Sequence, residues 1–227
     1  MRNDEAGTGA SGIGNRQSVV TRLVVGPLGT NCYILKSGST LAVVDPGGEG
    51  ARILAACEEA GGEVKLVINT HGHIDHVAED SALVEATGAE LLVHRSDAAM
   101  LEHPESGLAA LMGLVARPVK PTRLLSDGDE VAVGEETLRV LHTPGHTPGG
   151  ICLLGAGFAF TGDTLFVDSI GRTDFPGGSN AKMRGSLALL QAKLSGETML
   201  YPGHGEPGSF ARALLTNPFL GAVWPLD

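Results

Sequence analysis

The chain is short of cations, of cysteines and of long apolar runs, and each shortage removes a class of function. Lys and Arg number 16 against 26 Asp and Glu, for a net charge of −10 over 227 residues. No run of basic residues breaks that balance, so neither a nucleic-acid nor a membrane partner is expected. The three cysteines, Cys32, Cys57 and Cys152, are odd in number, widely spaced and outside any Cys-x-x-Cys pair. They read as free, buried thiols in a reducing compartment. No stretch is long and apolar enough to span a bilayer. Residues 1–18 lack the apolar segment of a signal peptide and read as a flexible tail, which makes cytoplasmic placement the expectation. No internal repeat is present.

What remains is a globular composition, 42% hydrophobic and 19% charged, in which short apolar runs alternate with Gly/Pro turns. Strands are predicted at 19–25, 32–36, 41–44, 66–69, 91–94, 129–133, 138–142, 151–154, 158–161 and 199–201. Helices are predicted at 50–60, 77–87, 96–101 (with Ser96 as N-cap) and 181–194, and 102–125 reads as irregular. The apolar stretch Leu108 to Val115 within it, with Met112, reads as core in preference to a groove wall. Strand runs followed by helices in both halves predict an α/β sandwich of two packed sheets with helices outside. Residues 19–227 read as a single domain.

The densest chemistry is Thr70-His71-Gly72-His73-Ile74-Asp75-His76, directly after an apolar strand. Folding gains nothing from crowding imidazoles and a carboxylate together unless something neutralises and orders them. These are ligand types that Zn²⁺ or Fe²⁺ accepts. Three further motifs place a His or Asp among glycines just past a strand: Gly145-His146-Thr147, Gly162-Asp163-Thr164 and Gly203-His204-Gly205. Glycines let the backbone turn tightly and approach closely. The candidate ligands are therefore His71, His73, Asp75, His76, His146, Asp163 and His204. They are too many for one tetrahedral ion and suit two divalent ions that share a carboxylate, Zn²⁺ first, with Fe or Mn as alternatives. Structural zinc sites are closed by four ligands and are typically Cys-rich, so a His/Asp set without cysteine points to an open, reactive site. His94, His103 and His142 read as structural or exposed.

The order His71-x-His73-x-Asp75-His76, His146, Asp163, His204 resembles the signature of the metallo-β-lactamase superfamily. The resemblance implies an αββα four-layer sandwich of two mixed β-sheets flanked by helices, the metallo-β-lactamase fold. It assigns His71, His73 and His146 to one ion and Asp75, His76 and His204 to the other, with Asp163 as the bridge. Asp45 matches a position that hydrogen-bonds a ligand imidazole. The chemistry implied is a hydroxide generated from water by the two ions, with Asp75 or water as the available proton donor. No further acid stands beside the motifs, which favours thiolate leaving groups over amide nitrogen.

The stretches Gly26-Pro27-Leu28-Gly29-Thr30-Asn31-Cys32-Tyr33, Thr161-Gly162-Asp163-Thr164-Leu165-Phe166, Gly171-Arg172-Thr173-Asp174-Phe175-Pro176-Gly177-Gly178 and Asn217-Pro218-Phe219-Leu220 resemble short glyoxalase II-like hydrolases. That resemblance implies hydrolysis of a small-molecule thioester derived from glutathione, an S-2-hydroxyacylglutathione. Glyoxalase II carries a C-terminal helical domain with basic contacts to glutathione. Here 23 residues follow His204 with Arg212 as their one basic residue, so no separate C-terminal glutathione-binding helical domain is expected. Arg172 is a candidate anchor for a substrate carboxylate, against a plain salt bridge to Asp174. The Arg172-Thr173-Asp174 piece also resembles mononuclear iron persulfide dioxygenases acting on glutathione persulfide, which is the alternative activity. The acidic balance counts against RNA processing; Asp163 and the missing signal segment count against a β-lactamase.

Overall fold

Apolar residues alternate along the strands, and the alternation fills three separate cores. The computed structural model describes residues 18–104 and 113–221. Residues 1–17 of the expected tail, and 108–112 of the apolar run, lie outside the described residues. Val19–Val25 (β1), Thr30–Ser37 (β2), Thr40–Val44 (β3), Glu63–Ile68 (β4), Glu90–His94 (β5) and Arg123–Leu125 (β6) form a six-stranded sheet in that order. Its first three strands are antiparallel, and β3 to β6 run parallel. Glu130–Val133 (β7), Glu136–His142 (β8), Ile151–Gly155 (β9), Phe158–Gly162 (β10), Met199–Pro202 (β11) and Gly208–Ser209 (β12) form the second, in which β10 and β11 pair in parallel and the other neighbours antiparallel.

Successive side chains of a strand point to opposite faces. Ile34, Leu41, Val43, Val67, Leu91 and Val93 thus meet Ile53 and Cys57 of the helix Gly50–Ala60 (α1) and Leu83 of the helix Asp80–Thr87, outside the first sheet. Their strand neighbours Tyr33, Leu35, Ala42, Val44, Ile68 and Leu92 face inward and pack on Val131, Val140, Leu153 and Phe160 of the second sheet. Leu141, Cys152 and Leu200 face outward onto the helices Asn180–Lys193 and Phe210–Thr216. The result is the expected four-layer αββα sandwich. Truncating an inter-sheet anchor such as Phe160, fully buried, would cost about 3–5 kcal/mol. The three cysteines are free and buried. Among the described residues no helix is long and apolar enough to cross a membrane.

Three expectations need correction. The helix expected over 77–87 is two: Ile74–Val77 (α2), which begins inside the His-rich run, and Asp80–Thr87 (α3). Between them the Glu79 N–H bonds the Pro46 carbonyl, 2.9 Å away, which turns the chain. Ser96 caps no helix: Ala98–Glu102 (α4) starts two residues later, after Asp97. The irregular stretch contains β6, and at the end of the apolar run Leu114 is buried while Val115 is exposed. Completing the set, Asn180–Lys193 is α5 and Phe210–Thr216 is α6.

Topology places the chemistry. Asp45, Thr70, His146, Asp163 and His204 all follow the C-terminal ends of strands β3, β4, β8, β10 and β11. In open α/β sheets those ends are where ligands bind.

Candidate metal centre

The site forms as two groups of three residues. In the first, His71, His73 and His146 present ring nitrogens within 4.8 Å of one another. His73 Nδ1 and His146 Nε2 are 2.8 Å apart. In the second, Asp75, His76 and His204 converge on the same criterion. His204 Nε2 lies 3.2 Å from Asp75 Oδ2, and His76 Nε2 lies 3.5 Å from the same oxygen. Asp163 stands between the groups, with Oδ2 3.5 Å from His146 Nε2 and Oδ1 3.5 Å from His76 Nε2.

The ring orientations follow from what holds their far sides. His146 Nδ1 donates to the Arg172 backbone carbonyl at 2.6 Å, so its Nε2 lone pair faces the centre. Asp45 Oδ2 accepts from His76 Nδ1 at 3.0 Å, with the same consequence. Thr70 Oγ1 donates to Asp45 Oδ2 at 2.7 Å and offers its lone pair to His71 Nδ1, 3.1 Å away. A third possible cluster, Asp45, His71 and His76, lies behind the first two. The Asp45 oxygens there are already engaged by Thr70 and His76.

Among the seven candidate ligands, two buried polar atoms have no hydrogen-bond partner: His71 Nε2 in the first group and Asp163 Oδ1 between the groups. Each would cost stability if left dry and unpaired. A cation at each group would satisfy them, and the donor set of imidazoles and carboxylates fits divalent transition metals.

The ionisation pattern agrees. Burial, reinforced by the His146 and His76 rings, pushes His73 down to about 3, and His71 also falls far below the usual imidazole range. Both are neutral lone-pair donors. Burial acts the same way on His76, but the carboxylates of Asp75, Asp163 and Asp45 override it and push it up to about 10. Burial likewise opposes, and Asp75 and Asp163 outweigh, in raising His204. Asp75 is held well below the ordinary carboxylate range against its burial, chiefly by His76 and His204. The carboxylates demand positive charge at the centre, and protons on His76 and His204 supply what a cation would.

Supporting residues outside the motifs complete the site. Thr30 Oγ1 donates to Asp75 Oδ2 at 3.1 Å. Asp97, fully buried, accepts from Gly72 N–H at 3.0 Å, Thr147 Oγ1 at 2.7 Å and Gly149 N–H at 2.6 Å. It ties the His71–His73 turn to the His146 turn. Thr30 and Asn31 precede the strand expected at 32–36, and the structure starts that strand at Thr30; a lone turn Asp such as Asp97 carries no signal in the sequence either. Gly203 is needed for close approach, because a Cβ there would sit 2.2 Å from Asp163 Oδ1.

Arg172 reaches the centre through its backbone. Its guanidinium pairs with Asp174 at 2.7 Å and lies 3.9 Å from the centroid of the Phe175 ring, which in turn meets His73 edge-on at 5.8 Å. His94 and His142 stack on each other 4.0 Å apart, outside the ligand groups, and His103 is exposed.

Residues 25–204 match the family model described as the metallo-beta-lactamase superfamily. The hydroxyacylglutathione hydrolase GloC of Haemophilus influenzae is 32% identical, over 85% of this chain and 93% of its own. Solved structures share the fold, among them the following three. BLEG-1 B3 metallo-beta-lactamase superposes with a TM-score of 0.84 at 28% identity, covering 90% of this chain and 100% of that one. TTHA1623 in a di-iron-bound form gives 0.80 at 34% identity, covering 88% and 99%. ETHE1 of Myxococcus xanthus gives 0.73 at 30% identity, covering 88% and 83%.

Proposed function

The chain belongs to the metallo-β-lactamase superfamily, and from that premise we propose that it is a metallo-hydrolase that cleaves a thioester of the S-2-hydroxyacylglutathione type at a two-cation centre. His71, His73 and His146 would hold one cation, Asp75, His76 and His204 the other, and Asp163 would serve both. The observation that carries this reading is Asp163, placed 3.5 Å from a ligand nitrogen of each group with a buried oxygen that has no other partner. The di-iron-bound form of TTHA1623 supports two ions and keeps iron beside zinc as the metal to test. GloC, whose substrate class its name carries, supports the thioester.

Two divalent cations supply a water of pKa about 7 and a Lewis acid for the substrate carbonyl. The chain's own residues do the rest. Asp45, Thr70 and the Arg172 carbonyl fix the imidazole faces. Asp75, half-buried with Thr30 donating to it, acts as ligand and acceptor. A thiolate leaving group, which needs little protonation, suits a centre without an acid. Arg172 anchors a substrate carboxylate by exchanging Asp174 for it, at the rim beside Phe175 and His73.

The test is to purify the chain with its native metal, count metals per chain, and assay S-lactoylglutathione hydrolysis, glutathione-persulfide-dependent O₂ uptake and β-lactam opening side by side. Two metals with thioester turnover, lost in Asp163→Ala by about 10²-fold or more, is the expected result. One iron per chain with O₂ uptake and no thioester turnover would sink the hydrolase reading in favour of the persulfide dioxygenase. β-Lactam turnover alone would sink both.

A further inference from the structure

The loop that carries His204 is held by the opposite sheet. It leaves β11 at Pro202, and three of its backbone carbonyls are taken by two residues of β2. Asn31 Nδ2 donates to the Pro202 carbonyl at 2.9 Å and to the Gly205 carbonyl at 2.8 Å. The Asn31 backbone N–H donates to the Gly203 carbonyl at 2.7 Å. The Tyr33 hydroxyl adds a second bond to the Pro202 carbonyl at 2.7 Å. Asn31 is fully buried, and its Oδ1 accepts from Arg22 Nε at 2.8 Å, so the amide is fixed in one orientation. Arg22 is itself held by Glu206 at the end of the same loop.

Strand alternation makes β2 a two-sided tether. Asn31 and Tyr33 face the second sheet, while Thr30, on the other face, donates to Asp75. Both ligands reached in this way belong to the Asp75–His76–His204 group. Among the described residues, the His71–His73–His146 group takes its hydrogen bonds from Thr70, Arg172 and, through its turns, Asp97. Within its own sheet the loop is tied by the Gly203 N–H to the Gly162 carbonyl, 2.9 Å away, and Gly203 can carry no side chain beside Asp163.

We infer that Asn31 is a positioning residue for the second cation: it sets the affinity of the Asp75–His76–His204 group while leaving the first group alone. The inference rests on the two-cation reading above. Its test is a titration of chelator-treated chain with Zn²⁺ against a chromophoric chelator, in wild type, Asn31→Ala and Tyr33→Phe, with urea unfolding of each metal-free chain. Wild type should take up two equivalents. Asn31→Ala should bind the second about 10–100-fold more weakly and the first within about twofold of wild type. Tyr33→Phe, which loses one hydroxyl and keeps the ring in the core, should weaken the second equivalent alone and by less. If Asn31→Ala does not fold, Tyr33→Phe carries the test. Equal weakening of both equivalents, or an unchanged second equivalent in the folded variants, overturns the inference. A wild-type chain that takes up a single equivalent overturns the two-cation reading instead, and this inference with it.

Discussion

Asp45 and Asp80 are both fully buried carboxyls, and their surroundings give them opposite roles. Asp45 sits at φ 54°, a left-handed backbone that a side chain enters at a cost of roughly 1–3 kcal/mol. The return on that strain is aim, because both its oxygens are engaged, by the Thr70 N–H and hydroxyl and by His76. Asp80 has one donor, the Asn69 amide at 3.0 Å, and its other oxygen has no partner. Burial therefore pushes its carboxyl well above the usual range. Between the unfolded value near 3.8 and that raised value, the folded chain keeps a proton that the unfolded chain has released. Stability then falls as pH rises through this window and has lost the full contribution above it. Asp80→Asn keeps the shape, cannot ionise, and brings an amide N–H towards the orphaned Asn69 Oδ1. The variant should unfold at higher urea than wild type at pH 7, with the gap closing as pH is lowered to 4. A midpoint equal to or below wild type at pH 7 would refute this account.

The strands and helices were legible to the degree that their side chains repeat. The α1 helix over Gly50–Ala60 shows in the spacing of Ile53 and Cys57 and in the Gly61-Gly62 stop, and the structure starts and ends it there. The β6 strand has three residues, two of them exposed, and so has no alternation to read. The α6 helix is seven residues, too short for a stripe to stand out. The candidate ligands could be read from the chain because four crowd together between Thr70 and His76 and the other three each stand beside glycines after an apolar run. Asp97 could not, since its three donors come from turns some 25 to 52 residues away in sequence. Its work is nonetheless between elements: one carboxylate at the start of α4 joins the turn after β4 to the turn after β8. Asp97→Ala would leave two backbone N–H groups and a hydroxyl buried without an acceptor. The metal-free chain should lose about 3 kcal/mol, read as a lower urea midpoint with unchanged slope, and the first Zn²⁺ equivalent should weaken with it. A loss under about 1 kcal/mol would mean that water replaces the carboxylate and the turns hold themselves.

At the scale of the molecule, two six-stranded sheets meet so that their strand ends share one edge, and the proposed centre is the seam across it. The first sheet contributes Asp45, His71, His73, Asp75 and His76; the second contributes His146, Asp163 and His204. A cation held there ties one sheet to the other, and it binds only where both are folded together. Ligand that binds the folded state alone stabilises by about 2.7 kcal/mol per site at a hundred times the dissociation constant. Two filled sites then give about 5 kcal/mol, and a chain of this length shifts its melting midpoint by roughly 2–4 °C per kcal/mol. Metal-loaded chain should therefore melt roughly 10–20 °C above chelator-treated chain, by calorimetry at equal protein concentration. The chain's net charge of −10 adds to this in the same direction, since cations also relieve its self-repulsion, and that part should fade at high salt. Asp163→Ala removes a side chain that faces both groups and should lose most of the shift, whereas a ligand variant confined to one group, such as His73→Ala, should keep roughly half. If His73→Ala and Asp163→Ala lose the same fraction, the two groups act as one site and the bridging role of Asp163 is wrong.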